Sequence, residues 1–364
     1  MSEDLDKVLQ NTELNYQILD GIVDLVRVLD HRNEVVYVNQ AMKDTLGYDT
    51  ENLICNISDN ILKSKITKRT LETGEVIQRE ETIQDKLYSV KCSPIKKDGK
   101  ITGAVEVFRN ISQERKLISA IVEKNKSMTV EMNHARKIQT ALLPEKGFFG
   151  VLKIDYLYRP SNLLSGDMFD IFEIDDDHLG IYIADTVGHG FAASMVTMFI
   201  RITMRTISYG KKLRPSLLLQ ELWKRFKNLG LDFEIYFTCF YGVFNKKTGQ
   251  FTYSNAGHFP CPIIIHEDTI QEMEVEGYPI SRFFDKVEYK EYSIKLNTSD
   301  KVIMMSDGVS EVMNYENEPY GIDRVKEIML ENESDELLKL KQSIYSYMWG
   351  EQKDDITALL IKVW

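Results

Sequence analysis

Acidic residues stand at the ends of apolar runs in this chain of 364 residues. Asp167 precedes the apolar run Met168–Ile174, a polar turn follows, and the run Leu179–Ala184 ends at Asp185. Strands joined by such a turn pair as an antiparallel hairpin, which brings the residue entering the first strand opposite the residue leaving the second, about 5 Å away. We therefore expect Asp167 and Asp185 to be neighbours.

The same arrangement recurs near the C-terminus. The run Lys301–Ser306 ends at Asp307, and Asp354 and Asp355 precede the run Ile356–Val363. If these strands are also neighbours, two pairs of carboxylates converge, and carboxylates that close raise one another's pKa. A divalent cation, which prefers oxygen ligands, relieves that repulsion. The pattern thus predicts a metal site and metal-assisted hydrolysis.

Composition narrows the possible classes of protein. The chain is 43% hydrophobic and 28% charged, as globular proteins are, and its net charge of −11 disfavours nucleic-acid and membrane partners. Its acidic N-terminus is unlike a signal peptide, and no apolar run is long enough to cross a bilayer. The dispersed cysteines form no Cys-x-x-Cys motif, which predicts a reduced cytoplasmic setting. They are Cys55, Cys92, Cys239 and Cys261.

The N-terminal third predicts an α+β domain. Residues 1–20 have a helical pattern, and the helix Gln40–Leu46 is bounded by Asn39 and Gly47. Strands are expected at Val23–Leu29, Glu34–Val38, Glu75–Gln84, Leu87–Pro94 and Ile101–Phe108. Four segments resemble a PAS sensor domain over about residues 12–112. They are Asp20-Gly21-Ile22-Val23-Asp24, Val35-Val36-Tyr37-Val38-Asn39-Gln40-Ala41, Leu46-Gly47-Tyr48 and Gly103-Ala104-Val105-Glu106-Val107-Phe108-Arg109-Asn110-Ile111-Ser112. PAS domains bind diverse ligands or none, and the sequence does not name one.

Residues 112–143 contain neither proline nor glycine and predict one long helix. The 3-4 spacing of its apolar residues is that of about four coiled-coil heptads, and a single amphipathic helix packed on its own domain is the alternative. We expect a homodimer through this helix, with a polar core residue fixing its register. His134 lacks the acid and proline of a kinase phosphoacceptor motif. The spacing residues are Ile118, Ile121, Asn125, Met128, Met132, Ala135, Gln139 and Leu142.

Strands joined by hairpins alternate with a few long helices after residue 146. This predicts two antiparallel sheets flanked by helices, an α/β sandwich. The resulting division is a PAS domain over residues 1–112, a linker over 113–145 and a third domain over 146–364. Helix Phe191–Ser208 is expected to bury Met195, Met198, Phe199, Ile202 and Met204 by periodicity.

Motifs of the third domain resemble the PPM family of metal-dependent serine/threonine phosphatases, also called the protein phosphatase 2C type. The resemblance covers roughly residues 135–364 and is greatest to the bacterial branch of sporulation and stress-response regulators. Its motifs are Ala141-Leu142-Leu143-Pro144, Arg159-Pro160, Ser165-Gly166-Asp167-Met168-Phe169-Asp170, Ala184-Asp185-Thr186-Val187-Gly188-His189-Gly190, Asn255-Ala256-Gly257-His258, Ser306-Asp307-Gly308-Val309-Ser310-Glu311 and Lys353-Asp354-Asp355-Ile356-Thr357.

The resemblance implies two Mn²⁺ or Mg²⁺ ions. Asp185 would bridge them, with the carbonyl of Thr186 as a further ligand, Asp167 on one ion, and Asp307 and Asp354 on the other. Asp355 is the alternative to Asp354. A position behind these ligands is expected for Asp170. Structural roles are expected for His189 and His258, with donation of a proton to the leaving seryl oxygen as the alternative. Arg159 does not have the spacing of a phosphate-binding arginine.

The resulting hypothesis is a cytoplasmic, signal-regulated phosphoserine/phosphothreonine protein phosphatase. The resemblance implies a phosphorylated STAS-type anti-sigma-factor antagonist as substrate, within a partner-switching stress response. The alternative is a catalytically silent scaffold of the same fold that binds such partners. Rotation of the linker helix is expected to shift helix Phe191–Ser208 and to complete the metal site.

Overall fold

The computed structural model of the protein describes residues 13–46, 65–188, 190–267, 269–331 and 335–364. It divides into two compact units, Met1–Ser127 and Met128–Trp364. Several predictions lie outside the described residues: the first part of the N-terminal helix, the helix stop at Gly47, Cys55 and His189. No helix within the described ranges combines the length and the apolar character needed to cross a bilayer.

The N-terminal unit is built on one antiparallel sheet of five strands in the order β2-β1-β5-β4-β3. Residues 13–20 are helical, and the described residues of this unit contain two further helices, of which α2 was not predicted because its few apolar residues give little signal. The strands are β1 (Leu25–Asp30), β2 (Val35–Val38), β3 (Ile77–Ile83), β4 (Lys86–Lys97) and β5 (Lys100–Asn110), and the helices are α1 (Gln40–Leu46) and α2 (Lys65–Thr73).

A buried ion pair lies inside this sheet. Arg27 and Glu106 are 2% and 0% exposed, and the guanidinium donates to the carboxylate, which also accepts a hydrogen bond from Thr67. The guanidinium lies 5.4 Å from the ring centroid of Phe108. Burial of two charges is tolerated because each is paired and hydrogen-bonded.

The linker is the single helix α3 (Ser112–Ala141), as predicted. Ile118 and Ile121, two of the apolar residues with heptad spacing, are 52% and 58% exposed. In the first half of the helix these residues are therefore not buried by the rest of the chain. The last turns differ, because Gln139 is buried within the C-terminal unit. The side chain of Gln139, which the heptad pattern placed in a coiled-coil core, therefore packs inside that unit instead.

The C-terminal unit contains two antiparallel sheets, as predicted. The first has the order β15-β11-β10-β9-β8 with β14 paired to β10, and the second has the order β13-β12-β16-β17-β7-β6. The strands are β6 (Gly147–Phe149), β7 (Leu152–Arg159), β8 (Asp167–Glu173), β9 (His178–Thr186), β10 (Tyr236–Asn245), β11 (Gln250–Ala256), β12 (Ile263–His266), β13 (Thr269–Glu272), β14 (Ile280–Ser281), β15 (Tyr292–Lys295), β16 (Lys301–Met305) and β17 (Ile356–Val363).

The sheets pack face to face, and helices cover their outer faces. Phe169 and Ile183 of the first sheet share a core with Met304 and Leu359 of the second. Helices α4 and α6 pack on the first sheet and α8 and α9 on the second. The helices of this unit are α4 (Phe191–Thr206), α5 (Tyr209–Lys212), α6 (Pro215–Lys227), α7 (Asp307–Ser310), α8 (Ile322–Leu330) and α9 (Glu336–Tyr347).

The buried face of α4 differs from the prediction. Of the residues expected in the core only Met204 is fully buried, whereas Met195 and Ile202 are 43% and 65% exposed. Small and β-branched side chains face the sheet instead, because they let the helix lie close to it. They are Ala193, Ser194, Val196, Thr197, Ile200 and Thr203.

The outer face of β8 fixes α4 through charge. Asp170 is 0% exposed and accepts hydrogen bonds from the guanidinium groups of Arg201 and Arg205. This carboxylate therefore points to the helix layer, away from the sheet–sheet interior that contains Phe169. Its role is to hold α4 on the sheet.

Candidate active site

The first pair of acidic residues lies where the hairpin predicts it. Strands β8 and β9 pair with Asp167 directly opposite Asp185. Asp167 is 1% exposed. Thr186, the next residue of β9, donates its backbone N–H to the carbonyl of Gly166 at 3.1 Å. The loop before Asp167 is thereby fixed against the end of β9.

The second pair is also brought together by strand pairing. Strands β16 and β17 are antiparallel with Met305 opposite Ala358, and Ser306 Oγ donates to the carbonyl of Asp355 at 3.1 Å. A Cβ on Gly308 would lie 2.1 Å from that carbonyl oxygen and 3.3 Å from Cβ of Asp354. Only glycine fits there, so the turn after Asp307 lies directly against the two acids that precede β17.

The two pairs share one electrostatic environment. Burial, followed by the charges of Asp185 and Asp355, raises the pKa of Asp167 well above its usual value. Burial, followed by the charges of Asp307 and Asp354, raises the pKa of Asp185 to about 8. Burial and the charge of Asp354 raise the pKa of Asp307 to about 6. Asp185 therefore connects the two pairs, since it interacts with Asp167 on the first sheet and with Asp307 and Asp354 at the edge of the second.

This set has the donors of a hard-cation site without being a closed cage. Asp167 Oδ2 and Thr186 Oγ1 are buried and have no hydrogen-bond partner among the described residues. Among the residues that the structure describes, no three histidine, cysteine, aspartate or glutamate side chains already have the arrangement of a metal site. The fit to a divalent cation rests on the oxygen-only donors and on the buried oxygen of Asp167 that lacks a partner.

Adjacent acids at the start of β17 have different surroundings. Asp355 is 3% exposed, and its carboxylate accepts hydrogen bonds from Ser161 N at 2.6 Å, Ser165 Oγ at 2.8 Å and Gly166 N at 2.6 Å. Asp354 is exposed and lines a cavity beside Gly308. Asp355 thus holds the loop that precedes Asp167, whereas Asp354 stays exposed, with its Oδ1 accepting the N–H of Asp355 at 2.7 Å.

His258 connects the two sheets behind the acids. Its Nε2 donates to the carbonyl of Met305 at 3.1 Å, so its Nδ1 accepts from Thr238 Oγ1 at 3.0 Å. Thr238 lies opposite Asp185 on β10, and Met305 ends the strand that leads to Asp307. Burial lowers the pKa of His258 to about 4, which keeps the ring neutral. With both nitrogens engaged, His258 is a structural residue, as expected from the sequence.

The end of helix α3 reaches the same loop. Gln139 is 1% exposed; its Nε2 donates to the carbonyl of Ser165 at 2.8 Å and to Thr197 Oγ1 at 3.1 Å, and its Oε1 accepts from the N–H of Ser165 at 3.1 Å. One amide therefore joins the linker helix, the residues before Asp167 and helix α4. Sequence reasoning placed Gln139 in a heptad pattern and missed this role, for which its polarity at a core position was the available signal.

Arg159 is engaged elsewhere. Its guanidinium lies 4.5 Å from the ring centroid of Tyr345 on α9, and its backbone carbonyl accepts from Gln352 Nε2. The structure provides no argument for assigning it to phosphate binding.

Comparison with known families identifies both parts of the chain. Residues 175–364 match the family model described as Stage II sporulation protein E (SpoIIE), and residues 20–113 match a PAS domain model. The chain belongs to the SpoIIE family. The region matched to SpoIIE contains Asp185, Asp307 and Asp354, and Asp167 lies just before it.

Two curated relatives of this SpoIIE-family chain come from Bacillus subtilis (strain 168). It is 30% identical to phosphoserine phosphatase RsbU over 203 residues, which is 55% of this chain and 58% of RsbU. It is 30% identical to phosphoserine phosphatase RsbP over 183 residues, which is 49% of this chain and 45% of RsbP. The chain spans about half the length of the curated relatives it matches.

A solved structure supports the fold. The SiaA-PP2C domain of Pseudomonas aeruginosa aligns with a TM-score of 0.57 at 18% identity, covering 66% of this chain and 98% of that one. The predicted fold class, a PAS domain followed by an α/β sandwich of the protein phosphatase 2C type, is thereby confirmed.

Proposed function

We propose that this SpoIIE-family chain is a metal-dependent phosphatase that removes phosphate from serine or threonine of a phosphoprotein. The observation that carries the proposal is the pairing of Asp167 with Asp185 at the edge where Asp307 and Asp354 also meet. Kinship with two phosphoserine phosphatases at 30% identity supports it. We also propose the functional division at residues 112/113 and 145/146 and a cytoplasmic location.

Asp167, Asp185, Asp307 and Asp354 would hold two Mn²⁺ or Mg²⁺ ions, with the carbonyl of Thr186 as a further ligand. Such a pair of ions supplies a hydroxide nucleophile and neutralises charge that develops on phosphate oxygens. We leave Asp355 outside the ligand set, because its carboxylate already accepts three hydrogen bonds from the protein.

The chain's own residues perform two tasks in this proposal. Asp355 and Gln139 hold the loop that precedes Asp167 from two sides, through Ser165 and Gly166. His258, neutral and doubly hydrogen-bonded, keeps the strand ends of Asp185 and Asp307 at a fixed separation. The one N–H of its neutral ring already donates to the carbonyl of Met305, so the proton for a leaving seryl oxygen would come from another group.

The substrate we propose is a phosphorylated STAS-type anti-sigma-factor antagonist, supported by the resemblance to stress-sigma regulators. Regulation would run from the PAS domain through α3, whose Gln139 contacts both Ser165 and helix α4. Movement of α3 would shift Gln139 and, through it, the loop before Asp167 and helix α4.

The test is Mn²⁺-dependent hydrolysis of p-nitrophenyl phosphate and of a phosphoserine protein by the full chain. Asp185→Asn is expected to lower kcat by at least about a hundredfold, the size of effect seen when a charge-stabilising group is removed from an active site. Asp176→Asn is the matched control, because Asp176 is an exposed acid in the turn at the opposite end of the same hairpin. Equal rates for the wild type and Asp185→Asn would favour the silent-scaffold alternative.

A further inference from the structure

A cavity of about 150 Å³ opens next to the acids. Gly308, which follows Asp307, and Asp354 both form part of its wall. The remaining wall comes from the segment after α7 and from the segment that joins α9 to β17. The cavity is therefore continuous with the proposed site rather than separate from it.

The size of the cavity limits what can occupy it. Sites for small molecules and cofactors measure about 300–1,000 Å³. At about 150 Å³ this cavity is too small for such a ligand and has room for about one large side chain. Because it lies beside the acids, an occupant that belongs to the phosphoprotein would come from a residue close to the phosphorylated one.

Four apolar side chains contribute to the wall: Val312, Met313, Met348 and Trp349. Trp349 is 72% exposed. Its main chain is fixed, since Trp349 N donates to the carbonyl of Met313 at 2.9 Å and Met348 N donates to the carbonyl of Ile344 at 2.9 Å. An exposed tryptophan held in this way is typical of an energetic hot spot in an interface, and methionines adapt to different partners.

The charges of the wall select against acidic occupants. Glu311, Glu351 and Asp354 line the cavity, with Lys353 as the basic residue among them. A carboxylate entering the cavity would meet this excess of negative charge, whereas an apolar side chain would bury surface against the indole and the thioethers.

We propose that this cavity receives one apolar side chain of the phosphoprotein, from a residue adjacent to the phosphoserine. This inference rests on the proposed function and adds a substrate preference to it: phosphoserine flanked by a large apolar residue. Trp349 is the main specificity determinant and touches the substrate away from the reacting atoms.

The experiment uses the full chain with Mn²⁺ and alanine-based phosphoserine peptides. Each peptide carries one leucine, lysine or aspartate at one of the three positions on either side of the phosphoserine. Values of kcat/KM are divided by that for p-nitrophenyl phosphate, which has no flanking residue. Leucine at one position is expected to raise the ratio about tenfold over alanine, and aspartate to lower it.

Trp349→Ala is expected to remove most of the preference for leucine, through KM, and Trp349→Phe to retain part of it. Trp364→Ala is the matched control, because Trp364 is a second exposed tryptophan, 62% exposed, beyond the far end of β17. Thermal melts of all three variants check that they are folded.

The possible failures are distinguishable. No hydrolysis of p-nitrophenyl phosphate by the wild type would overturn the proposed function and this inference with it. Hydrolysis of p-nitrophenyl phosphate without a preference for leucine, a preference for lysine, or a preference that survives Trp349→Ala would each overturn the inference alone.

Discussion

At the scale of single residues, the candidate site brings together carboxylates whose negative charges repel one another. Asp167 and Asp185 are opposite each other in a hairpin that is largely buried, and the charges of Asp307 and Asp354 act on Asp185 as well. Protons or cations are needed to balance these carboxylates. Two of their neighbours, Asp355 and His258, have their hydrogen bonds satisfied within the protein.

Replacement of Asp185 by asparagine is expected to stabilise the metal-free protein at pH 8. The pKa of Asp185 is raised to about 8 in the fold, so the folded state loses stability relative to the unfolded chain as pH rises from about 4 to 8. Asp185→Asn should therefore melt several degrees higher than the wild type at pH 8, with a smaller difference at pH 5. Added Mn²⁺ should raise the melting temperature of the wild type only.

Differential scanning calorimetry with and without a chelator measures both effects. Asp176→Asn again serves as the control and should follow the wild type at every pH. A variant that melts lower than the wild type in the absence of metal at pH 8 would contradict the argument from repulsion.

His258 gives a pH dependence of opposite sign. Its pKa is lowered to about 4, so between pH 6.5 and 4 the unfolded chain binds a proton that the folded state does not. The stability that the wild type has over His258→Gln is expected to be about 2 kcal/mol smaller at pH 5 than at pH 7.5. Urea unfolding at the two pH values measures this difference. If the advantage of the wild type were the same at both, the ring would take up a proton by pH 5 in the folded state as it does in the unfolded chain.

At the scale of elements, one amide at the end of α3 joins three parts of the site. Gln139 both donates to and accepts from the backbone of Ser165, which a carboxylate in its place could not do, and it also reaches Thr197 on α4. Helix α4 is in turn fixed to β8 by Asp170. The loop before Asp167 is therefore set by helices as well as by strands.

Gln139→Ala is expected to raise the Mn²⁺ concentration for half-maximal hydrolysis of p-nitrophenyl phosphate several-fold. The substitution leaves the buried N–H and C=O of Ser165 without these partners, at about 1–3 kcal/mol. Gln139→Glu keeps the acceptor and loses the donor, so it should not restore the wild-type value. Thr140→Ala, at an exposed position on the same helix, is the control. An unchanged metal requirement in Gln139→Ala would remove this residue from the argument.

Strand pairing could be predicted from the sequence because alternation and turn residues are local signals. The hairpin argument for Asp167 with Asp185 agrees with the observed register, and the strands next to Asp307 and Asp355 are neighbours, as the argument for the second pair required. The hydrogen bonds of Asp355 could not be predicted, since Ser161 is 194 positions away in sequence.

Other errors have equally specific causes. The alternating pattern of residues 286–295 predicts a single strand, but β15 begins only at Tyr292, because Val287 and Tyr289 are buried without ladder partners. The four-residue helix α7 starts with an Asp-Gly pair, which by itself favours a turn. In α4, large side chains were mistaken for the buried face.

At the scale of the whole molecule, a PAS domain and a phosphatase-type unit share one continuous helix of 30 residues. Ile118 and Ile121, two of its regularly spaced apolar residues, are more than half exposed, at 52% and 58%. Exposed apolar residues at heptad spacing are what a coiled-coil partner would cover. The homodimer predicted from the sequence thus stays a prediction that this surface makes testable.

The full chain is expected to sediment as a dimer at micromolar concentration and as a monomer when Ile118 and Ile121 are both replaced by glutamate. Lys116→Glu, at an exposed position on the outer side of the same helix, makes the same total change in charge as the two substitutions at the seam, but away from it, and should remain dimeric. A wild type that sediments as a monomer would refute the linker dimer. A double variant that stays dimeric would place the interface elsewhere.

The three hydrogen bonds that Asp355 accepts have a consequence for biosynthesis. They tie the loop at Ser161–Gly166 to the start of the last strand, across a sequence separation of 189 to 194 residues. A nascent chain still lacking β17 cannot form them, although it already contains Asp167, Asp185 and Asp307. We therefore expect the proposed phosphatase activity to appear only after translation has delivered that strand, so a partly made chain on the ribosome would not hydrolyse the proposed substrate.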